Sequence, residues 1–418
     1  MKHPNPFAEI TLLPGAGLGD CAPAAARLPN ILGAPKDFPA KIRGLKIASI
    51  GTGAVGGAGM IELARMQPAE IWLIDPKEFK RESVLTQPIT PDAIGQAKAW
   101  YIGQICKAIS PGTRVFWYKG GIEDIDPVCF REIDAFLLAS DNLAAEVEAG
   151  QVATYLSKPL IHSSLHGDTL VIQIRTFANR DGEGPCPACG FGQTEWLHLG
   201  QNVRFACDPG SSPEDARRTV HAEPTFSLAP LCSMAGSLLI IHLMRLTIGF
   251  GKPAGNTLFE YCAHTGKTFT TPLARNPECP CDHTAWEFRT TSESLAFTSL
   301  ERLTELSGHP VSEDDPPLFQ ISGFDWVGNI RCPSGHAQPS GHFVRRGEIP
   351  DLGSCQTCGQ PLTLDPLSRR KSVSAGSLGS RLQMPLRQLG IEAGARISIR
   401  TLERTIQFEL EPQTENVK

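Results

Sequence analysis

A glycine-rich turn between two apolar runs constrains this chain more than any other feature. The first run begins at Lys46, the turn GTGAVG carries Gly51, Gly53 and Gly56, and a helix-like stretch leads into the second run. Glycines permit a tight turn and let backbone N–H groups approach a phosphate at the positive end of a helix. The second run ends at Asp75, where a carboxylate can accept hydrogen bonds from both hydroxyls of a ribose. This order of strand, turn, helix, strand and Asp predicts a nucleotide site, and the alternative is a turn whose glycines serve packing alone.

Apolar runs continue to alternate with helix-like stretches after Asp75, and the predicted strands lie at 115–118, 135–138, 159–162 and 170–175. Such alternation is typical of an α/β fold with a Rossmann-like, doubly wound and mostly parallel sheet. It ends near residue 285, which predicts a second, smaller domain. The predicted division is an irregular N-terminal arm over 1–44, a nucleotide-binding domain over 45–285, and a C-terminal domain over 286–418. The last of these ends in a period-two segment typical of a β-hairpin.

Composition excludes several classes of protein. The 418 residues carry 39 Lys+Arg against 44 Asp+Glu, so no basic surplus supports bulk attraction to nucleic acid or to an anionic membrane. The apolar stretch 226–250 contains Pro230, His242 and Arg245, which favours a buried core helix over a membrane span. The first residues lack a basic segment followed by an apolar run, and this predicts a cytoplasmic protein whose 13 cysteines are reduced.

Three further motifs follow the glycine turn in a characteristic order. Gln87 ends the polar segment RESVLTQ, Lys98 ends a G-x-x-K motif, and Asp141 with Asn142 forms part of a Ser-Asp-Asn segment. Together with the glycine turn and Asp75, these motifs resemble the E1-like adenylyltransferases, the activating enzymes for ubiquitin and for molybdopterin and thiamine synthesis. The resemblance extends from about residue 25 to 285.

The resemblance implies a nucleotide site for Mg-ATP. Asp75 would bind the ribose, Lys98 would contact the phosphates, and Asp141 would help to hold Mg²⁺. Such groups suit adenylation, because attack of a carboxylate on the α-phosphorus builds charge on the phosphoryl oxygens that a lysine and Mg²⁺ stabilise. The remaining implied nucleotide contacts are Gly51, Gly53, Gly56, Gln87 and Asn142.

One position departs from the family pattern. The segment that ends at Gln87 normally carries an arginine that reaches the phosphates, and Thr86 stands in its place. Arg81 lies five residues earlier and is the candidate substitute.

Paired cysteines predict zinc. Cys186 and Cys189 form a Cys-x-x-Cys motif, and Cys279 with Cys281 forms a second pair, which together offer four thiolates to a structural zinc ion. The family's second pair is normally Cys-x-x-Cys, so His283 is an alternative to one of these cysteines. A second set in the C-terminal domain has the spacing of a zinc ribbon and contains Cys332, His336, Cys355 and Cys358. His342 is an alternative to His336 as the histidine ligand.

A further cysteine is a candidate nucleophile. Cys207 lies in a polar segment that matches the family's crossover loop, here 190–226, where several members carry a cysteine that forms a thioester. Nearby arginines favour the reactive thiolate. Cys232 competes for this role, but it falls at the start of the apolar helix.

The resemblance therefore implies adenylation of the C-terminal carboxylate of a ubiquitin-like protein, transfer to Cys207, and transfer onward to an E2-like partner. Relatives in bacterial antiphage operons suggest a role in antiviral defence, and family members commonly form homodimers. The same-class alternative is a sulfur-carrier activator, for thiamine or molybdopterin synthesis, without the cysteine relay. A nicotinamide-dependent oxidoreductase leaves Lys98 and the zinc motifs unexplained, and Thr86 keeps open a non-catalytic E1-like scaffold.

Overall fold

The computed structural model describes residues 5–12, 34–179, 184–200, 204–205, 221–222, 228–249, 251, 255–294, 296–308, 316–322, 324–328, 330–336, 341–345, 353–364, 369–370, 372–391, 395–401 and 404–410. The chain divides into two compact units, one over Pro6–His283 and the other over Thr284–Lys418 together with Met1–Asn5. We call them the N-terminal unit and the C-terminal unit.

A nine-stranded sheet forms the centre of the N-terminal unit. Its strands are β1 (Ala8–Glu9), β2 (Lys46–Ile50), β3 (Glu70–Ile74), β4 (Arg114–Tyr118), β5 (Ala135–Leu138), β6 (Leu160–His166), β7 (Val171–Phe177), β10 (Thr257–Cys262) and β11 (Lys267–Pro272). The spatial order is β1-β4-β3-β2-β5-β6-β7-β10-β11. The strands from β4 to β6 are parallel, and the strands at both edges are antiparallel to their neighbours. A short parallel pair lies outside this sheet, β8 (Arg204–Phe205) with β9 (His221–Ala222).

Helices cover both faces of the sheet. They are α1 (Phe38–Gly44), α2 (Ala54–Arg65), α3 (Lys98–Ile109), α4 (Leu143–Tyr155), α5 (Gln193–Gly200) and α6 (Ala229–Thr247). Helices α2, α3 and α6 share one apolar core with alternate strand residues, such as Ile47, Leu73 and Ile161. Helix α4 packs on β5 and β6 from the other face. The α/β, Rossmann-like fold class predicted from the alternation is confirmed.

Among the described residues, α6 is the one helix long and apolar enough to cross a membrane by length and composition. It packs against α2, β6 and β7, and its Leu239 and Leu243 are fully buried. In this structure α6 is a core helix, as its interrupting polar residues indicated.

The N-terminal arm is more regular than its sequence predicted. Strand β1 pairs with β4 at the edge of the sheet, and α1 buries Phe38 and Ile42. Both elements are too short to show a period in sequence. Tertiary contacts rather than local patterning therefore define them: pairing with β4 for β1, and burial of two side chains for α1.

The C-terminal unit has its own sheet and core. Its elements are β12 (Trp286–Thr291), α7 (Leu300–Ser307), β13 (Leu318–Ile321), β14 (Phe324–Val327), β15 (Ile330–Arg331), β16 (His342–Arg345), β17 (Thr363–Leu364), β18 (Arg369–Arg370), β19 (Ser372–Ser374), α8 (Ala375–Leu378), β20 (Arg396–Arg400) and β21 (Thr405–Leu410). Strands β20 and β21 form an antiparallel hairpin within a five-stranded sheet ordered β12-β21-β20-β13-β19. The first and last strands of the unit pair in parallel, so both ends of this segment are needed to complete the sheet.

Candidate functional site

The strand order reverses between β2 and β5, and the loops after these two strands are in contact. Gly51 follows β2 with a φ of +90°, a conformation that L side chains rarely adopt. A Cβ atom built at Gly51 would lie 2.5 Å from the carbonyl oxygen of Ala139, which follows β5. In open α/β sheets, ligands bind outside the carboxyl ends of the strands at such a switch point. The glycine turn found in the sequence therefore lies where this fold class binds ligands.

The amino end of α2 opens into this switch point. A side chain at Gly56 would collide with the carbonyl oxygen of Gly51, so glycine is required for the helix to begin this close to the turn. Gly53 is the residue that caps the helix, and no side chain satisfies the first amides there. These free N–H groups and the positive end of the helix dipole favour an anionic group such as a phosphate.

Two polar side chains reach the cap of α2. A Cβ atom built at Gly53 would lie 3.9 Å from Gln87 Oε1 and 3.9 Å from Lys98 Nζ. Gln87 Oε1 is buried and accepts no hydrogen bond from the residues that the structure describes. A buried oxygen of this kind is costly unless a donor reaches it, which a bound ligand can supply. The structure thus brings Gln87 and Lys98 together beside the glycine turn.

The backbone explains how Lys98 comes to this position. The segment after β3 bridges to the segment before α3: Lys98 N donates to Lys77 O at 3.0 Å, and Phe79 N donates to Gln96 O at 3.0 Å. Gly95, with a φ of +83°, supplies the bend that this bridge needs. Lys98 then begins α3 with its ammonium group 5.5 Å from the centroid of the Phe79 ring.

Asp75 is buried at the carboxyl end of β3. Its Oδ2 accepts hydrogen bonds from Thr52 N at 2.8 Å and Thr52 Oγ1 at 3.1 Å, while its Oδ1 accepts from Lys77 N at 2.9 Å. These donors hold the carboxylate at the edge where the loops after β2 and β3 meet. Thr52 lies inside the glycine turn, although the sequence reasoning did not single it out.

Lys77 links this edge to the loop after β5. Its Nζ lies 3.8 Å from Asp141 Oδ1, and both side chains are about half exposed. Sequence reasoning missed Lys77 as well, although its place two residues after Asp75 was a readable signal. The Asp141 carboxylate therefore lies beside Lys77, whose backbone N–H donates to Asp75 at the carboxyl edge of the sheet.

Asn142 has a local role in the structure. Its side-chain oxygen accepts a hydrogen bond from Ala144 N at 2.9 Å and so caps α4. Its backbone N–H donates to Ser140 Oγ at 3.2 Å. A direct contact between Asn142 and a nucleotide stays a prediction.

Three candidate residues remain: Arg81, Cys207 and Cys232. Arg81 is exposed at the first residue of a 3-10 helix, and its role in phosphate binding stays a prediction. Cys207 lies outside the described residues. Cys232 is 1% exposed within α6, so burial removes it as an accessible nucleophile.

Three polar residues near Asp141 were not predicted from sequence, and two of them, Glu146 and His162, are buried. His162 of β6 and Arg175 of β7 are partners across the two strands, and Glu146 of α4 packs against both. Burial raises the pKa of Glu146 to about 7, although the Arg175 guanidinium acts in the opposite direction. Burial, with help from Arg175, lowers the pKa of His162 well below its usual value. His162 is therefore neutral, and Glu146 titrates near neutral pH.

A Cys/His cluster lies at the end of the N-terminal unit. Its four ligand atoms all lie within 4.8 Å of one another, and they belong to Cys186, Cys189, Cys279 and His283. The Sγ atom of Cys186 is 3.9 Å from that of Cys189 and 3.8 Å from that of Cys279, and Cys189 Sγ is 3.5 Å from His283 Nε2. A tetrahedral zinc with bonds of about 2.3 Å to sulfur separates its ligands by about 3.8 Å, so the donor set fits zinc.

His283 takes the place in this cluster that one reading of the sequence gave to Cys281. Its Nδ1 lies 3.1 Å from Gly184 O, an arrangement that turns Nε2 toward the thiols. Cys281 instead hydrogen-bonds to Cys186, and this bond together with burial raises the pKa of the Cys186 thiol to about 12. A bound divalent cation reverses that effect, because it favours the thiolate.

The second cluster lies in the C-terminal unit and contains Cys332, His336, Cys355 and Cys358. Cys332 Sγ is 3.5 Å from His336 Nδ1 and 3.5 Å from Cys358 Sγ, and Cys355 Sγ is 3.8 Å from His336 Nδ1. These separations also fit a tetrahedral zinc. The competing His342 lies in β16 opposite Val327 and is not part of this cluster.

Comparisons with known proteins agree with this geometry. The model of the ThiF family matches residues 27–281. The sulfur carrier protein adenylyltransferase of Thermus thermophilus is 26% identical over 242 residues, which cover 56% of this chain and 82% of that protein. The molybdopterin-synthase adenylyltransferase of Escherichia coli is 24% identical over 236 residues, covering 56% and 85% respectively.

Among solved structures, that of Escherichia coli MccB with succinimide is similar with a TM-score of 0.46 and 17% identity. The matched region covers 58% of this chain and 68% of that chain.

The family model ends before the C-terminal unit begins. It spans the glycine turn, Asp75, Lys98 and Asp141. The chain therefore belongs to the ThiF family of E1-like adenylyltransferases.

Proposed function

We propose that this protein uses Mg-ATP to adenylate the C-terminal carboxylate of a small carrier protein. The observation that carries the proposal is the placement of Lys98 and Gln87 beside the open cap of α2, next to the cluster of Asp75, Lys77 and Asp141. This edge offers hydrogen-bond donors and positive charge that can bind phosphates. It also offers carboxylates that can bind a ribose and a cation. The names of the two adenylyltransferase relatives support the same chemistry.

Each residue has a distinct part in this reaction. The amides at the cap of α2 and the Lys98 ammonium bind phosphate oxygens, and Asp75 accepts hydrogen bonds from the ribose hydroxyls. Asp141 holds the Mg²⁺ that accompanies ATP, and Lys77 beside it balances the local negative charge. A carboxylate oxygen of the carrier attacks the α-phosphorus, the bond from that phosphorus to the bridging oxygen breaks, and pyrophosphate leaves. Lys98 stabilises the charge that develops on the phosphoryl oxygens, and Mg²⁺ held by Asp141 would add to that stabilisation.

ATP–pyrophosphate exchange with candidate carrier proteins tests the proposal. We expect carrier-dependent exchange by the wild type and its loss in Asp75→Asn. Asp37→Asn is the matched control, because Asp37 is an exposed aspartate just before α1 that pairs with Lys41. Binding of a nicotinamide cofactor without ATP turnover would indicate the oxidoreductase alternative, and no ATP turnover with any carrier would indicate the non-catalytic scaffold.

The fate of the acyl-adenylate distinguishes two candidate functions. The relatives are named for a sulfur carrier and for molybdopterin synthase, which favours a sulfur-carrier activator in which the adenylate is attacked without an enzyme cysteine. The second candidate is thioester transfer to Cys207 and onward to an E2-like partner in an antiviral conjugation system, supported by the polar, arginine-bearing sequence around Cys207.

Intact mass spectrometry separates these candidates. The enzyme is incubated with Mg-ATP and a carrier protein, with and without reductant, and compared with Cys207→Ala. A thiol-sensitive adduct of the carrier's mass that is lost in the variant supports the relay. Carrier-dependent pyrophosphate release without an adduct supports the sulfur-carrier activator.

Two structural zinc ions and a homodimer complete the proposal. The fit of both Cys/His clusters to tetrahedral zinc supports the former, and membership of the family supports the latter. Metal analysis is expected to find two zinc ions per chain. Light scattering at assay concentration tests the dimer.

A further inference from the structure

A buried charged cluster adjoins the turn that carries Asp141. Arg175 Nη2 lies 3.3 Å from Glu146 Oε2, and His162 Nδ1 lies 3.5 Å from the same oxygen. The Glu146 side chain is 8% exposed and that of His162 is fully buried. The three residues come from three different elements, α4, β6 and β7, so the cluster ties the start of α4 to the sheet.

The cluster is connected to the Asp141 turn through the backbone. Glu146 N donates to Asn142 O at 3.0 Å, which closes the first turn of α4 immediately after Asp141. Asn142 N in turn donates to Ser140 Oγ at 3.2 Å, so the residues on both sides of Asp141 are tied to the start of α4. A movement of Glu146 is therefore transmitted to the residues that flank Asp141.

The stability of the core does not account for this cluster. Burial raises the pKa of Glu146 in spite of Arg175, and the negative charges of Asp141 and Glu195 act in the same direction as burial. Removing a charged carboxylate from water costs more here than its partner returns, and apolar residues of similar volume are often as stable or more so. A costly charge at the base of a functional turn points to a role in positioning.

We propose that Glu146 and Arg175 are positioning residues that hold the 140–142 turn in the orientation in which Asp141 binds the cation of Mg-ATP. Arg175 is fixed by its place in β7, and Glu146 transfers that fixed position to the first turn of α4. The proposal rests on the proposed function, because it gives these two residues a task in Mg-ATP binding. It adds a residue pair that touches neither the nucleotide nor the cation.

The test measures the dissociation constant of ATP by calorimetry with Mg²⁺ and with EDTA. The ratio of the two constants is the gain that Mg²⁺ gives, and Asp141→Asn is expected to abolish most of it. Glu146→Gln keeps the shape of the side chain and removes the charge, and we expect it to lower the gain by about tenfold, as loss of a residue that orients a metal ligand typically does. Arg175→Lys keeps the charge and is expected to retain a larger part of the gain.

The matched control is Glu70→Gln. Glu70 has a 12% exposed side chain and lies 3.3 Å from Arg114, but it is at the amino end of β3, opposite the edge that carries Asp75. We expect Glu70→Gln to leave the gain from Mg²⁺ unchanged. Thermal melts of each variant establish that it is folded at the temperature of the titration.

A double-variant cycle identifies action through Asp141. If Glu146 acts through Asp141, Glu146→Gln combined with Asp141→Asn loses no more of the gain than Asp141→Asn alone. Losses that multiply, or a gain in Glu146→Gln equal to that of Glu70→Gln, would overturn the positioning role while leaving the proposed function intact. A wild type that binds ATP equally with and without Mg²⁺ would overturn the role of Asp141 and the inference with it.

Discussion

Replacing Glu146 by Gln should change how the stability of the N-terminal unit depends on pH. In the folded chain, burial raises the pKa of this carboxyl from 4.5 to about 7, and a glutamine of the same shape carries no titrating group. Each unit of pKa corresponds to about 1.4 kcal/mol, so ionised Glu146 destabilises the fold by about 3 kcal/mol relative to its protonated form.

The sign follows from which state holds the proton. Below the unfolded pKa both states are protonated, and the wild type incurs no penalty. As the pH rises through the folded pKa, the unfolded chain has already lost its proton, and the free energy of unfolding of the wild type falls relative to that of the variant. About 2 kcal/mol of this change lies between pH 5.5 and 8.5.

Urea unfolding measured by pulse proteolysis at several pH values provides the assay, because fragments of the N-terminal unit report its unfolded fraction separately from the C-terminal unit. We expect the difference in free energy of unfolding between Glu146→Gln and wild type to increase toward high pH by about 2 kcal/mol. The pair with Arg175 is already contained in the folded-state pKa of Glu146, because burial raises that pKa while the guanidinium lowers it. A difference that stays flat from pH 5.5 to 8.5 would refute the reasoning.

Three further predictions concern other parts of the molecule. Lys98→Met should lower the rate of carrier-dependent pyrophosphate exchange by about 100-fold or more, because it removes a charge from the developing phosphoryl oxygens, while its melting temperature stays near that of wild type. Gly51→Ala should destabilise the fold by at least about 2 kcal/mol, since its φ of +90° and the nearby Ala139 carbonyl both oppose a Cβ atom; denaturant unfolding measures this, and a wild-type midpoint would contradict it. His283→Ala should lose one zinc ion per chain by metal analysis, whereas Cys281→Ala should retain both, and the reverse result would assign the fourth ligand to Cys281.

Much of the nucleotide-binding edge could be predicted because its signals are local. Gly51, Gly53 and Gly56 are fixed by backbone requirements within one turn, and Asp75 follows from the end of one strand. The alternation of apolar runs likewise gave the α/β class, which the sheet order confirms. Short elements such as β1 and α1 contain too few residues to show a hydrophobic period in the sequence.

The sequence by itself determined the parts of this protein that depend on the spacing of neighbouring residues: the glycine turn, the Cys-x-x-Cys motifs and the family to which they point. Only the tertiary structure decided which distant side chains meet. It placed His283 rather than Cys281 among the four residues of the first cluster, and it set Lys77 beside Asp141. The register of β6 with β7 made His162 and Arg175 partners below Glu146. Such contacts depend on strand register and helix packing across many residues, and a period of two or of 3.6 along the chain does not encode them.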